Sequence, residues 1–525
     1  MISLLRLWVP AVVFLIIGNA IPAFAATPTA TIDSGAVVGV ATSVTGATVT
    51  VNKYLGIPFA ASPRRFAPPV KPTPWRSPYH ATKYRPACIQ QFNYPEAQRN
   101  ATIAWYNTPP PPAGESEDCL NLNVYVPQTP TRNKTVMAWI YGGNLNFGSN
   151  SVSIYDGTSF AAEQDIIIVS FNYRTNVFGF PNSPELPFAK RNLGFLDQRL
   201  ALDWIQRNIK AFGGDPKKVT IFGESAGAAS VDILVTTHPY HPPFRAAIME
   251  SGQTSFYINP TNVPASWLAL AAALNCTETH PTSNLTCLRS HPASVIQSTI
   301  EHLALSFRPV SDNVTLLRYP ELARLNKSIA SVPVLTGTNA NEGTVFTVGQ
   351  TDSASFLNEL FPNQTAYVQD ILAAYPLTPA AVQLAAIFTD LAFQCPAGIL
   401  ANDSRTAGLP TWRYYFNATF TNTQIYPGAG AYHGSEISLV FGTYPRVNAT
   451  EQQHALSRYM QNAWAAFARD PADGPGWEGV PRVGVLGNPG MLKTAFNAGT
   501  LDAKCSLFRP YYETIGSAVP HSGGD

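Results

Sequence analysis

Charge is scarce in this chain and nearly balanced: 34 Lys and Arg face 33 Asp and Glu, and only 13% of the 525 positions are charged. Affinity for nucleic acid or for an anionic membrane rests on clustered cations. This composition leaves too few to cluster, so neither partner is expected. Beyond the first 25 residues the chain also lacks long apolar runs, and no stable membrane insertion is expected. Cysteines are few, six in all and none in a C-x-x-C pair, which argues against thiolate metal binding. Proline is the excess, 45 residues, yet it is spread along the chain rather than gathered into a linker or low-complexity tract. No repeat recurs at a period of 20–50 residues, and no composition break separates domains.

Residues 1–25 (MISLLRLWVPAVVFLIIGNAIPAFA) place Arg6 before an apolar run from Leu7 to Ile17, with small residues at Ala23 and Ala25. That is a signal-peptide layout, and Pro10 within a short run fits a spanning helix poorly. The mature chain is expected to begin near Ala26 and to be secreted as an extracellular protein. The C-terminal HSGGD carries neither an ER-retention tetrapeptide nor an apolar tail for a lipid anchor. In an oxidising compartment six cysteines allow fifteen pairings. Sequence adjacency favours Cys88–Cys119 and Cys276–Cys287, leaving Cys395–Cys505. Ten N-x-S/T sequons agree with a secreted surface: Asn100, Asn133, Asn275, Asn284, Asn313, Asn326, Asn363, Asn402, Asn417 and Asn448.

Short β-branched runs at residues 135–141 (TVMAWIY), 165–172 (DIIIVSFN), 219–222 (VTIF) and 246–249 read as buried strands. Between the second and third, Leu202, Ile205, Ile209 and Phe212 recur at helical spacing within 194–212. Apolar strands alternating with amphipathic helices predict an α/β fold with a mostly parallel central sheet, helices on both faces and long loop insertions. Residues 26–525 are expected to form one such domain.

The chemistry concentrates at residues 217–230, KKVTIFGESAGAAS. A strand ends, Gly223-Glu224-Ser225-Ala226-Gly227 follows, and a helix begins. This is G-x-S-x-G in its confirming context, where the glycines two before and two after the serine let strand and helix approach. Ser225 is the expected nucleophile. A serine hydroxyl needs a base, and the base needs a carboxylate to hold and stabilise it. In the chain order Ser, acid, His, the best acid is Glu342, where the strand-like VLTGTNANEG (334–343) runs into a loop, and the best base is His433 in GAGAYHGSE (428–436). The histidines at 238, 241, 280 and 291 sit in polar or Pro-flanked loops, and His302 follows Glu301 on an expected helix. They read as surface residues. His238 and His241 have i, i+3 spacing, but Pro239 intervenes and no acid partners them, so no metal or other cofactor is expected. Tyr141-Gly142-Gly143-Asn144 follows a strand. Its Gly143 and Asn144 N–H groups, with Ala226 N–H, are the expected oxyanion donors.

These residues resemble the type-B carboxylesterase/lipase family of α/β-hydrolases, relatives of which include cholinesterases and secreted fungal lipases. The markers are YLGIPFA (54–60), EDCLNLNVY (117–125), WIYGG (139–143), NLGFLDQRLAL (192–202), FGESAG (222–227) and HGSE (433–436). The resemblance implies Ser225 as acyl-forming serine, Glu342 as acid and His433 as general base, and the same three cysteine pairs. It covers nearly all of the expected mature chain. Two departures stand out. The usual third glycine of the oxyanion loop is Asn144 here, and the choline-stacking Trp expected ten residues before the second flap cysteine is replaced by Pro109.

The implied activity is hydrolysis of a small-molecule ester through an acyl-enzyme. The same intermediate serves acyl transfer, so sequence does not separate the two, and it leaves the oligomeric state open. A non-catalytic binding homologue would be expected to have lost the serine or the histidine, and both are present. The 30 residues between Cys88 and Cys119 correspond to the family's flap. Four prolines at 109–112 cannot continue a helix, and only Ile103, Ala104, Trp105 and Tyr106 form an apolar run. That is too little for a broad lipid-binding face, so short-chain or aromatic soluble esters are expected in preference to triglyceride.

Overall fold

A computed structural model describes residues 27–45, 47–254, 263–276 and 283–514. The expected signal segment 1–25, the loop holding His280 and the C-terminal 515–525 lie outside the described residues. The strands are β1 (Thr29–Ile32), β2 (Gly35–Val38), β3 (Val40–Ser43), β4 (Thr50–Pro58), β5 (Tyr79–His80), β6 (Asn121–Pro127) and β7 (Lys134–Ile140). They continue with β8 (Ile167–Phe171), β9 (Gly214–Glu224), β10 (Ala246–Glu250), β11 (Val334–Asn339), β12 (Thr411–Phe416), β13 (Arg482–Leu486) and β14 (Lys493–Asn497). Eleven of them make one sheet in the order β14-β13-β12-β11-β10-β9-β7-β8-β6-β4-β3, while β1, β2 and β5 form a small separate sheet.

From β8 through β13 every neighbouring pair runs parallel, and antiparallel strands finish both edges. Every residue of β7, β8 and β10 is buried, as a strand covered on both faces requires. This is the mostly parallel α/β sheet expected from the alternation of apolar strands and helices, and the α/β-hydrolase fold that the resemblance implies. The expected helix at 194–212 is an α-helix over Leu193–Asn208 closed by a 3₁₀ turn, Ile209–Phe212. Strand β9 begins earlier than its apolar run because polar residues before Val219 still pair with β7 across a register irregularity, where Pro216 is tolerated.

One expectation needs correction. Beyond residue 25, the run Ala380–Thr406 forms a 27-residue helix long and apolar enough to cross a bilayer. Its apolar window is 78% buried among other elements of the protein, so its hydrophobicity is explained by core packing. A π-turn at Asp390–Gln394 interrupts it.

Aromatic rings form the bed beneath the site. Trp139 of β7 meets Phe222 of β9 at 4.8 Å and Phe441 at 5.0 Å between centroids. The NLGFLDQRLAL run also acquires a physical role. Asp197 takes hydrogen bonds from the backbone N–H, Nε and Nη2 of Arg174, and Gln198 donates to Ser230 on the helix that follows the serine. All three cysteine pairs form, Cys88–Cys119, Cys276–Cys287 and Cys395–Cys505. Of the ten sequon asparagines nine are exposed and Asn284 is half-buried.

Candidate active site

Strand β9 delivers Ser225 to a turn where its backbone sits at φ 56°, ψ −123°, a strained conformation for a residue with a side chain. The helix Ala226–Thr237 starts at the next residue. A Cβ on Gly223 would lie 2.6 Å from Ile140 O, and one on Gly227 would overlap the same carbonyl. The glycines therefore let β7, β9 and the helix close around the serine. Ser225 N–H donates to Glu250 O at 2.9 Å, which ties the turn to β10.

His433 and Glu342 arrive from distant loops. Glu342 lies just past β11 and is fully buried. Its Oε1 accepts from Asn339 N–H at 2.6 Å, and its Oε2 is 2.6 Å from His433 Nδ1. This contact assigns the Nδ1 proton and leaves Nε2 as the basic nitrogen. Rings of Phe346 and Phe393 pack on the imidazole at 5.1 and 4.7 Å. Ser225 and His433 line the same cavity, of about 450 Å³, together with Gly142, Gly143 and Asn144.

The N–H groups of Gly143, Asn144 and Ala226 donate to no acceptor among the described residues. The loop is a tight turn, with Asn146 and Phe147 N–H both donating to Gly143 O. Gly143, Asn144 and Leu145 all have positive φ, 93°, 57° and 60°. Asparagine is among the few side-chain residues that tolerate that region, so the missing third glycine does not unfold the loop.

Sequence reasoning missed a group of buried carboxyls. Glu224, the residue before Ser225, fits between the loops because Gly142 and Gly434 leave it room. Its Oε1 lies 3.0 Å from His433 Nε2, a close approach without hydrogen-bond alignment. Burial pushes the Glu224 carboxyl up to about 7, with His433 pulling it down and Glu342 pushing it further up. Burial lowers His433, but Glu224 and Glu342 outweigh that and raise it overall. Glu250 accepts from Trp464 Nε1 at 2.9 Å and is pushed up to about 8, chiefly by burial. Glu436, held by Asn339, is also raised well above the usual carboxylate range, again by burial first. The glutamates inside the two quoted motifs, Glu224 of FGESAG and Glu436 of HGSE, were the signals that pointed to this group. Trp105 and Tyr106 of the flap also line the cavity.

The other histidines among the described residues stay apart from this site. His238 and His302 each bond a carbonyl four residues back on their own helices, and His291 lies 3.6 Å from Cys276 Sγ. Among the described residues Cys276, Cys287 and His291 are the one trio with metal-ligand spacing. Both sulfurs are committed to a disulfide, so no thiolate is offered.

Fold and site together define a serine ester hydrolase. The chain belongs to the carboxylesterase family, whose profile matches residues 26–481. It is 34% identical over 470 residues to an acetylcholinesterase of Bungarus fasciatus, covering 81% of this chain and 77% of that one. It is 33% identical over 477 residues to carboxylesterase 1C of Rattus norvegicus, 85% and 86% covered. A cholinesterase of Mus musculus matches at 33% over 477 residues, 84% and 78% covered.

Proposed function

We propose that the chain, folded as one domain over residues 26–525, is secreted and hydrolyses short-chain or aromatic soluble esters through an acyl-enzyme on Ser225. The observation that carries this reading is the buried 2.6 Å contact between Glu342 and His433 Nδ1, beside a cavity that His433 and the strained Ser225 both line. Oγ of Ser225 attacks the ester carbonyl carbon and its proton passes to His433 Nε2. The carbonyl π pair moves to oxygen, where the N–H groups of Gly143, Asn144 and Ala226 receive it. Collapse breaks the bond to the alcohol, which leaves with the proton from His433. Water then repeats the sequence on the acyl-enzyme. Glu342 holds Nδ1 of His433 and stabilises the imidazolium.

The substrate class follows from the cavity and the flap. Rings of Trp105, Tyr106, Phe147, Phe346 and Phe388 line the cavity, which suits an aromatic or short acyl group. The flap helix ends at Trp105, ahead of the four prolines, and Asn100 on it is exposed. Pro109 is exposed too, and it stands where the family resemblance would put a choline-stacking tryptophan. Three disulfides support an oxidising compartment. A fluorophosphonate probe followed by peptide mapping tests the mechanism, with one label expected on Ser225. Labelling elsewhere, or none, overturns it. Turnover on graded p-nitrophenyl esters beside a triglyceride emulsion tests the substrate class.

A further inference from the structure

Resting on the catalytic reading above, we infer that Arg308 is a positioning residue that sets the oxyanion loop. Where relatives of this type are expected to carry a third glycine, this chain has Asn144, and its side chain has a built partner. Arg308 Nη1 donates to Asn144 Oδ1 at 2.7 Å and approaches Asn144 O at 3.4 Å. The two ends of the loop are held independently. Gly143 O receives two backbone N–H groups, and Asn146 O receives Gln91 N–H, Thr175 Oγ1 and Asn176 Nδ2. Asn144 lies between these anchors, and among the described residues its side chain is held by Arg308.

Arg308 is itself on a fixed segment. Its neighbour Phe307 is buried, and Val310 exchanges hydrogen bonds with the buried amide of Asn192 at 2.7 and 2.8 Å. The guanidinium therefore grips Asn144 from a rigid base. An oxyanion donor contributes only when its N–H stands at hydrogen-bond distance from the developing charge. The 143–144 peptide, which carries the Asn144 N–H, is held on its carbonyl side by the two bonds to Gly143 O, and Arg308 holds the other side through the side chain and carbonyl of Asn144. A glycine at 144 would offer no side chain to grip, so the arginine and the asparagine act as one device.

The test is a double-mutant cycle of R308A and N144G, read with p-nitrophenyl butyrate and with a trifluoromethyl ketone that traps the serine as a hemiketal oxyanion. R308A should lower kcat about tenfold, less than the loss of a whole donor, with KM within about twofold. Ketone affinity should fall by a similar factor. In the N144G background R308A should change kcat by less than about twofold, because the coupled pair is already broken. An equal loss in both backgrounds, a change confined to KM, or an unchanged kcat overturns the assignment. If R308A does not fold, R308K reads the same step. It keeps the charge but loses the planar fork, and kcat should fall at constant KM and constant Tm. Fluorophosphonate labelling of Ser225 is run on the same samples. Its failure refutes the catalytic reading itself, whereas labelling with additive losses refutes only the role of Arg308.

Discussion

Oε1 of Glu224 lies 3.0 Å from Nε2 of His433, the nitrogen left free to work on the serine once Nδ1 is held by Glu342. The base is therefore flanked by two carboxyls, one on each ring nitrogen, and both raise its proton affinity against the opposing effect of burial. In the mechanism proposed above ester attack needs neutral His433, so this pairing is expected to set the acid limb of activity.

The first prediction concerns that limb. Glu224→Gln removes one of the charges that lift His433, so the imidazole stays neutral to lower pH. The acid limb of kcat/KM should move down by about one pH unit. Because Glu224 itself sits near 7, the wild-type limb belongs to the coupled pair rather than to one residue. A pH–rate profile in which the limb stays fixed, or moves up, contradicts the coupling.

Stability should also respond to pH, with a definite sign. Glu250 is raised to about 8 by burial, and Glu224 to about 7, so between about pH 5 and 8 the folded protein binds more protons than the unfolded chain. Stability then falls as pH rises through that window. The raised His433 acts in the same direction, since its contribution is lost as pH rises through its folded value. Glu250→Gln keeps an acceptor for Trp464 Nε1 but cannot ionise. Thermal unfolding from pH 5 to 9 should show a shallower decline for E250Q than for wild type. Parallel curves would show that Glu250 does not titrate in this range.

Ser225→Ala and His433→Ala should each reduce kcat by about 10⁴-fold or more, and the double variant should lose little beyond either single one, because the groups act as a unit. Glu342→Gln should cost less. Circular dichroism should match wild type for S225A, whose change removes one hydroxyl group. Independent, multiplying losses would mean that serine and histidine serve separate functions.

On lipid, the short apolar run of the flap gives a concrete expectation. Rate should rise smoothly with substrate and show no jump when tributyrin passes its solubility limit. Strong activation on a long-chain triglyceride emulsion would instead make the Trp105–Tyr106 edge an interfacial surface and the protein a lipase.

Much of this was legible in the residues themselves. The turn at Gly223–Gly227 is a local event, dictated by where a Cβ fits between strand and helix, so a short motif specifies it completely. Strands β7 to β10 were visible because burial on both faces demands uninterrupted apolar runs. Strands β4 and β6 at the antiparallel side, and β12 with its Arg413 in mid-strand, carry polar residues that find partners only in the folded chain. Asn123 accepts from Gly56 N–H across strands, and Arg413 pairs with Asp502; neither partner is a sequence neighbour. The apolar run Ala380–Thr406 shows the same limit in reverse, since only packing distinguishes a core helix from a membrane span. The triad could be nominated from chain order and loop composition. What tertiary structure alone decided is the setting of His433: Glu224 from the elbow, Phe393 from the π-turn and Glu342 from β11 meet around one ring. Likewise Arg308 meets Asn144 across 164 residues. Such contacts depend on distances between segments remote in sequence, and a low-dielectric interior turns those distances into shifted protonation and fixed orientation.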